Sequence, residues 1–397
     1  VSAHLEQWLS LVLRWAHVIT GVSWIGTSFY FNWLNWRIAP AEPPEPGVGG
    51  ELWSVHGGGF YRVVKYSVAP TRLPRTLHWF KWEAYATWWS GLSLLVLLYY
   101  VGAREYLLDP AVSSMSPSAA VALGVATLVV SWLVYDLLCR SPLAGRPKAF
   151  AAGGLVLVTA LAWGLGQVFS ARAAYLHVGA ALGTIMAANV FRVIIPAQRD
   201  MVAALSAGAA PDASRGRQGA LRSLHNNYLT LPVLFVMVSN HYPATYGNAR
   251  GWAILAMLFG IGVLVRHWFN LRNAGRRNAW ILPVAVAGLA ALVVGTAPRR
   301  TGGTTRGGAD AISFADIRVV IARRCAPCHS SAPTYPGMAA APAGVMLDTP
   351  GQIQARAARI AERAVVQQTM PLGNVTGITA EERALLGRWV RAGAPLR

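Results

Sequence analysis

Charge is what this 397-residue sequence has least of. Only 13% of its residues are Asp, Glu, Lys or Arg, against about 25% in an average soluble domain, and 54% are hydrophobic. That excludes an ordinary soluble globule. Acidic residues are scarcest, 16 against 35 Lys and Arg, which leaves a formal charge of +19. In a soluble chain this excess would point to nucleic acid. In so apolar a chain it points to basic loops on the cytoplasmic side of a membrane, and no nucleic-acid partner is expected. The 3 cysteines are too few for a disulfide framework. Disorder is excluded by the abundance of aliphatic and aromatic residues, 16 Trp among them. No basic n-region precedes the first apolar stretch, so no cleavable signal peptide is expected. There is no internal repeat.

A membrane-spanning helix takes about 20 mostly apolar residues. Eight stretches qualify, near 8–34, 82–101, 117–138, 149–169, 173–195, 224–240, 251–269 and 279–297. Loop charge alternates across this map. The even-numbered gaps hold only Arg104, Arg172 and Arg250, whereas the odd-numbered ones hold clusters such as Arg62, Lys65 and Lys81, or Arg272, Arg276 and Arg277. The positive-inside rule puts the basic gaps in the cytoplasm and both termini outside it. The expected fold is therefore all-α: an eight-span polytopic bundle over 1–297, a flexible Gly/Thr linker over 298–310 and a small soluble domain over 311–397. In a bacterial inner membrane that last domain would be periplasmic.

The soluble segment carries Cys325-Ala-Pro-Cys328-His329, a CxxCH sequence. In this pattern two thiols attach a haem c through thioether bonds and the His becomes an axial iron ligand. A chance CxxC of zinc or redox type is the competing reading. The outward placement, a short amphipathic helix over 314–323 and a downstream Met370-Pro371 favour haem. Met370 is the expected sixth ligand, a pairing that raises the reduction potential. Met338 and Met346 stand too near the attachment site to compete well. The domain closes with a capping box, Thr379-x-x-Glu382, and an apolar helix face of Leu385, Leu386 and Trp389. It reads as a class I-like cytochrome c domain, a small electron carrier.

Ionisable groups inside spans are costly and point to function. His17, Gly21, Trp24 and Ser28 share one face of the first span. His17 could ligate a haem b with His177 as its partner; the alternative is a hydrogen-bonding His that ties helices together. Near the cytoplasmic side lie Glu83, Asp136, Asn189, Arg192, His225, Asn226, Asn227, Arg266, His267 and Asn270. This mixture suits a planar, anionic, hydrogen-bonding substrate, against the alternative of helix-end residues solvated by headgroups. His56-Gly57-Gly58-Gly59 looks like an esterase oxyanion loop, but the chain has no G-x-S-x-G elbow to go with it. Its glycines are expected to let the backbone approach a ligand or a neighbouring helix.

Several of these stretches resemble one family, the PuuD-type membrane-bound urate hydroxylases, in which an eight-span domain is fused to a C-terminal cytochrome c. The matching segments are RWAHVITGVSWIGTSFYF (14–31), ELWSVHGGGFY (51–61), LHWFKWEAYATWWSG (77–91), MAANVFRVIIPAQ (186–198), RSLHNNYLTLPVLFVMVSNHYP (222–243) and RHWFN (266–270). More distantly, the pattern around His17 is similar to membrane protoporphyrinogen oxidases, where an equivalent His is thought to hold haem b. The resemblance implies conversion of urate and water to 5-hydroxyisourate. Electrons would leave through the cytochrome to a downstream cytochrome or terminal oxidase, without hydrogen peroxide. On this view Arg192 or Arg266 holds the urate anion. His225, His267, Glu83 or Asp136 takes the proton. A cofactor near His17 and His177 passes electrons outward. Two other classes compete: a quinol-to-cytochrome relay with no organic substrate, and a haem-b porphyrinogen oxidase-like enzyme.

Overall fold

The computed structural model describes residues 3–67, 70, 73–297, 313–336, 338 and 340–397. The linker expected over 298–310 lies outside the described residues. Among the described residues the chain is mostly helical, and six helical stretches are long and apolar enough to cross a membrane. They are α1 (Ala3–Arg37), α2 (Trp82–Leu95, continuing as a wider turn over Val96–Val101), α3 (Pro117–Arg140), α4 (Pro147–Leu165), α5 (Ala171–Asn189, continuing through Val190–Ile194 into α6, Ile195–Ser206) and α9 (Gly251–Asn273). Two further expected spans are helical but fall short of that standard. In α7 (Ala213–Ser239) the first turns carry Arg215, Arg217 and Arg222, and α10 (Ile281–Gly295) has 15 residues. A four-residue helix α8 (Pro243–Tyr246) links α7 to α9.

The expectation of an all-α fold is corrected in the first long gap. There, β1 (Val48–His56) and β2 (Gly59–Tyr66) form an antiparallel hairpin. The β-branched and aromatic residues Trp53, Val55, Phe60, Tyr61, Val63 and Val64 favour extended backbone there. The turn explains the glycine run. Gly57 and Gly58 have φ of +56° and +80°, the left-handed pair that a two-residue hairpin turn demands. Nothing lies within 4 Å of where their Cβ atoms would stand, so they approach neither a ligand nor a helix.

Small residues set the packing of the bundle. A Cβ on Gly179 of α5 would meet Val236 Cγ1 at 2.5 Å, and one on Gly262 of α9 would meet Pro232 Cδ at 3.1 Å. α7 is thus clasped closely between α5 and α9, in the way small residues let membrane helices approach. The lipid-facing side is apolar and open: Trp15, Val18, Ile19 and Val22 of α1, and Val286, Val293 and Val294 of α10, are exposed.

Residues 313–397 build a separate core. α11 (Phe314–Arg324) crosses α14 (Ala380–Arg391), with the Phe314 and Trp389 rings 6.1 Å apart. The capping box that the sequence suggests for α14 forms, and a second caps α12 (Pro350–Ala355), which leads into α13 (Ala357–Ile360). This unit packs against the base-poor end of the bundle. A Cβ on Gly373 would lie 2.6 Å from Glu105 O, and one on Gly247 would lie 2.8 Å from Thr369 Cγ2.

Candidate functional site

Two polar clusters flank α7, and their chemistry differs. The first joins α3, α5 and α7. Asp136 Oδ1 accepts from Arg222 Nη2 at 2.5 Å, and Asp136 Oδ2 pairs with Arg140 at 2.8 Å. Arg222 Nη1 donates to Asn189 Oδ1 (3.3 Å), and Asn189 Nδ2 donates to Asn226 Oδ1 (2.9 Å) and to Tyr135 Oη (3.1 Å). His225 Nδ1 shares a hydrogen bond of 2.8 Å with Tyr135 Oη, and its ring stacks on Phe150. Each of these groups is answered by another. The cluster is a closed buried network, and such networks fix helix register.

The second cluster joins α1, α7 and α9. Arg266 and Asn270 stand at i, i+4 on one face of α9, facing Asn227 of α7. Asn227 Oδ1 accepts from Arg266 Nε at 3.0 Å and from Asn270 Nδ2 at 2.9 Å. Asn227 Nδ2, Arg266 Nη2 and Asn270 Oδ1 are buried without a hydrogen-bond partner. The residues are only 3%, 4% and 8% exposed. An orphaned buried polar group costs about 1–3 kcal/mol, and a ligand that pairs all three offsets that cost. The set offers two donors, one of them cationic, and one acceptor. Beneath it, the Phe29 ring lies 3.8 Å from Arg266 Cζ. The adjoining His267 shares a 2.7 Å hydrogen bond between its Nδ1 and Tyr228 Oη, which leaves Nε2 as the open ring nitrogen.

The structure therefore separates residues that the sequence pools. Arg266 belongs to the unsatisfied cluster, and His267, the next residue of α9, pairs with Tyr228 of α7. Asp136 and His225 belong to the closed one, and Asp136 is held between two guanidinium groups. Arg192 is exposed on the turn between α5 and α6, and Glu83 is half-buried in the first turn of α2. Asn227 and Asn270 carry more of the site than their residue type advertises. Their signal is the run His225-Asn226-Asn227-Tyr228 and the Arg266/Asn270 spacing. Phe29 gives no such signal, because only tertiary packing brings it beneath a cation.

His17 and His177 occupy different surroundings. His17 Nδ1 donates to Thr87 O at 3.0 Å and lies 3.1 Å from Ser90 Oγ, with its ring over Gly91. His177 is fully buried among Phe169, Tyr99 and Tyr100. Its Nδ1 donates to Ala173 O at 2.9 Å and its Nε2 has no partner. A Cβ on Gly124 would sit 2.9 Å from that Nε2 and 2.9 Å from Tyr100 Oη. The two His meet α2 at points some ten residues apart, roughly 15 Å along its axis.

In the C-terminal unit the CxxCH segment follows α11 as a tight turn. His329 N donates to Cys325 O at 2.9 Å, and neither thiol is in a disulfide. His329 Nδ1 donates to Val345 O at 3.0 Å, which fixes the tautomer and leaves Nε2 free to ligate. Burial pushes the Cys325 thiol up to about 12. Met370 lies on a surface loop, 37% exposed, with its carbonyl held by Arg383 Nη1 at 2.8 Å. The donor set and its outer support fit a covalently attached haem.

The apolar helices mark the chain as a membrane protein, and its bundle buries a guanidinium beside two amides that each leave one atom unpaired. The chain belongs to the urate oxidase N-terminal family, whose model matches residues 3–297. That membership marks it as an oxidoreductase-related protein with a role in urate oxidation. Neither the curated proteins nor the solved structures contain a match to it.

Proposed function

We propose that the chain is a membrane-bound urate hydroxylase whose electrons leave through its own C-terminal unit. Urate and water give 5-hydroxyisourate, two protons and two electrons. The observation that carries the reading is the unsatisfied triad of Asn227, Arg266 and Asn270. Urate is planar and anionic, with carbonyl acceptors and ring N–H donors. Arg266 Nη2 and Asn227 Nδ2 would meet its carbonyl edge, and Asn270 Oδ1 would accept from a ring N–H. His267, its Nδ1 held by Tyr228, is the group placed to take a proton at Nε2. Asp136 and His225 hold α3, α5 and α7 in register, and Arg192 and Glu83 play no part in the binding.

The C-terminal unit would hold one haem c through Cys325 and Cys328, with His329 and Met370 as the residues that would ligate its iron. When bound, that haem accepts one electron at a time. Arg266 lies fifteen residues from the start of α9, about 22 Å along the helix. The C-terminal unit docks beside that start, at Gly247. Substrate and acceptor thus lie toward opposite ends of the bundle. We further infer eight crossings, with α7 and α10 added to the six apolar helices, the basic gaps in the cytoplasm of a bacterial inner membrane, and the C-terminal unit outside.

The test is the visible spectrum of the purified protein under anaerobic conditions before and after urate. The expected result is the reduced c-type band with 5-hydroxyisourate formed and no hydrogen peroxide. Arg266→Gln should raise the urate concentration needed by roughly 10- to 100-fold, since a hydrogen bond to a charged group contributes about 1.5–3 kcal/mol. A second reading rests on an apolar concavity of about 360 Å³ between α1 and α2, lined by Leu9, Leu13, Trp89, Leu92 and Val96. Its apolar lining would accept a hydrocarbon chain, as a quinol relay would need. Reduction by quinol with none by urate would overturn the hydroxylase in favour of that relay.

A further inference from the structure

The segment that carries Met370 is gripped from both sides. Toward its own unit, Arg363 O accepts from Thr369 N (2.9 Å) and Met370 N (3.2 Å), and Arg383 binds the carbonyls of Ala364 and Met370. Toward the membrane unit, both ends of the segment are in contact. At one end, Thr369 and the Gln367 carbonyl close on Gly247, where a Cβ would stand 2.8 Å and 2.9 Å from them. At the other end, Gly373 lies so close to Glu105 O and Leu108 O that its Cβ would stand 2.6 Å and 3.0 Å away. Glycine is present on each surface at its point of closest approach. A third point adds specificity. Tyr335, beyond the CxxCH turn, lies close enough to Glu105 for the carboxylate to act on its hydroxyl electrostatically.

The segment is not relaxed by itself. Gln368 and Asn374 hold φ of +50° and +51°, and Gly373 holds +55°. Left-handed backbone at non-glycine residues persists only where surrounding contacts over-determine it. Here those contacts come from two different units. Met370 lies between the two points of membrane-unit contact and remains partly exposed.

We propose that docking on the membrane unit, through Gly247 and Glu105, holds the 367–374 segment in the conformation that keeps Met370 on the haem iron. The docked unit then has the higher reduction potential that His/Met ligation gives, and undocking loosens the Met and lowers it. The acceptor is therefore tuned for electrons while it is seated on their source. This rests on the haem reading above.

The test uses the full-length protein with changes confined to the membrane unit, so the C-terminal unit is untouched. Gly247→Leu puts a side chain where Thr369 and Gln367 lie, and Glu105→Gln weakens the Tyr335 contact without adding bulk. The readouts are the ferric methionine-to-iron charge-transfer band and the midpoint potential of the haem. Both variants should lose band intensity and shift to lower potential, Gly247→Leu the more. A tenfold change in Met occupancy moves a one-electron potential by about 59 mV. If Glu105→Gln folds and both readouts match the wild type, the proposal is wrong and docking is passive. If Gly247→Leu misfolds, Glu105→Gln alone decides. If the wild-type chain carries no covalent haem or shows no Met band, the haem reading fails instead.

Discussion

Asp136 and Arg266 are both buried ions, and the chain treats them in opposite ways. Asp136 is paired with Arg222 and Arg140 within a network that has no open end. Removing its charge leaves Arg222 uncompensated, and breaking a buried pair costs about 3–5 kcal/mol. Asp136→Asn should therefore lower the melting temperature in detergent while leaving the urate KM of the folded fraction unchanged. Arg266 keeps Nη2 unpaired, and Asn270 keeps Oδ1 unpaired. Asn270→Leu should leave the melting temperature nearly unaltered, because an orphaned acceptor is lost along with one amide hydrogen bond. The same change should raise the urate KM. A KM that stays put would remove Asn270 from the site.

The elements deliver these residues by close approach. Pro232 of α7 seats on Gly262 of α9, one turn from Arg266. Gly262→Val would press the two helices apart, at a cost of about 1–3 kcal/mol for overpacking. Urate binding should fall by more than that loss of stability alone explains, which a binding titration on folded protein would show. The β1–β2 hairpin gives a pH-dependent case. A hydrogen bond from Arg62, at 2.5 Å, holds the Glu51 carboxyl below its ordinary range. A depressed folded-state value stabilises the hairpin at neutral pH, and that stability is lost as pH falls through the depressed value. Hydrogen exchange of the β1 and β2 amides should accelerate on acidification in the wild type and show no such step in Arg62→Gln.

At the scale of the whole molecule, α9 spans about 34 Å from its start near the C-terminal unit to its end at Asn273. Near that far end lies a concavity of about 540 Å³ lined by Arg37, Arg272, Arg276 and Arg277. The polarity of the molecule, base at one end and the C-terminal unit at the other, makes orientation measurable. In intact spheroplasts, a membrane-impermeant thiol reagent should label Ser114→Cys between α2 and α3. It should reach Arg277→Cys only after the membrane is breached. The reverse pattern would invert the topology.

Most of the architecture is legible along the sequence because membrane insertion is read locally. Length, apolarity and flanking charge are each properties of one stretch of chain. The CxxCH proposal is local in the same way, since the thioether attachment and His ligation it implies need only neighbours in sequence. The hairpin escaped because a helical reading of an apolar chain overrides two short strands joined at Gly57-Gly58. The site escaped more fully. Asp136, His225, Arg266 and His267 look alike as polar residues near helix ends. What distinguishes them is which partners reach them across α3, α5, α7 and α9, and pairing between helices distant in sequence is a tertiary property. Sequence composed the set of polar groups. Packing decided which satisfy one another and which are left facing a ligand, because a hydrogen bond formed inside the protein removes a group from chemistry and an unformed one leaves it available.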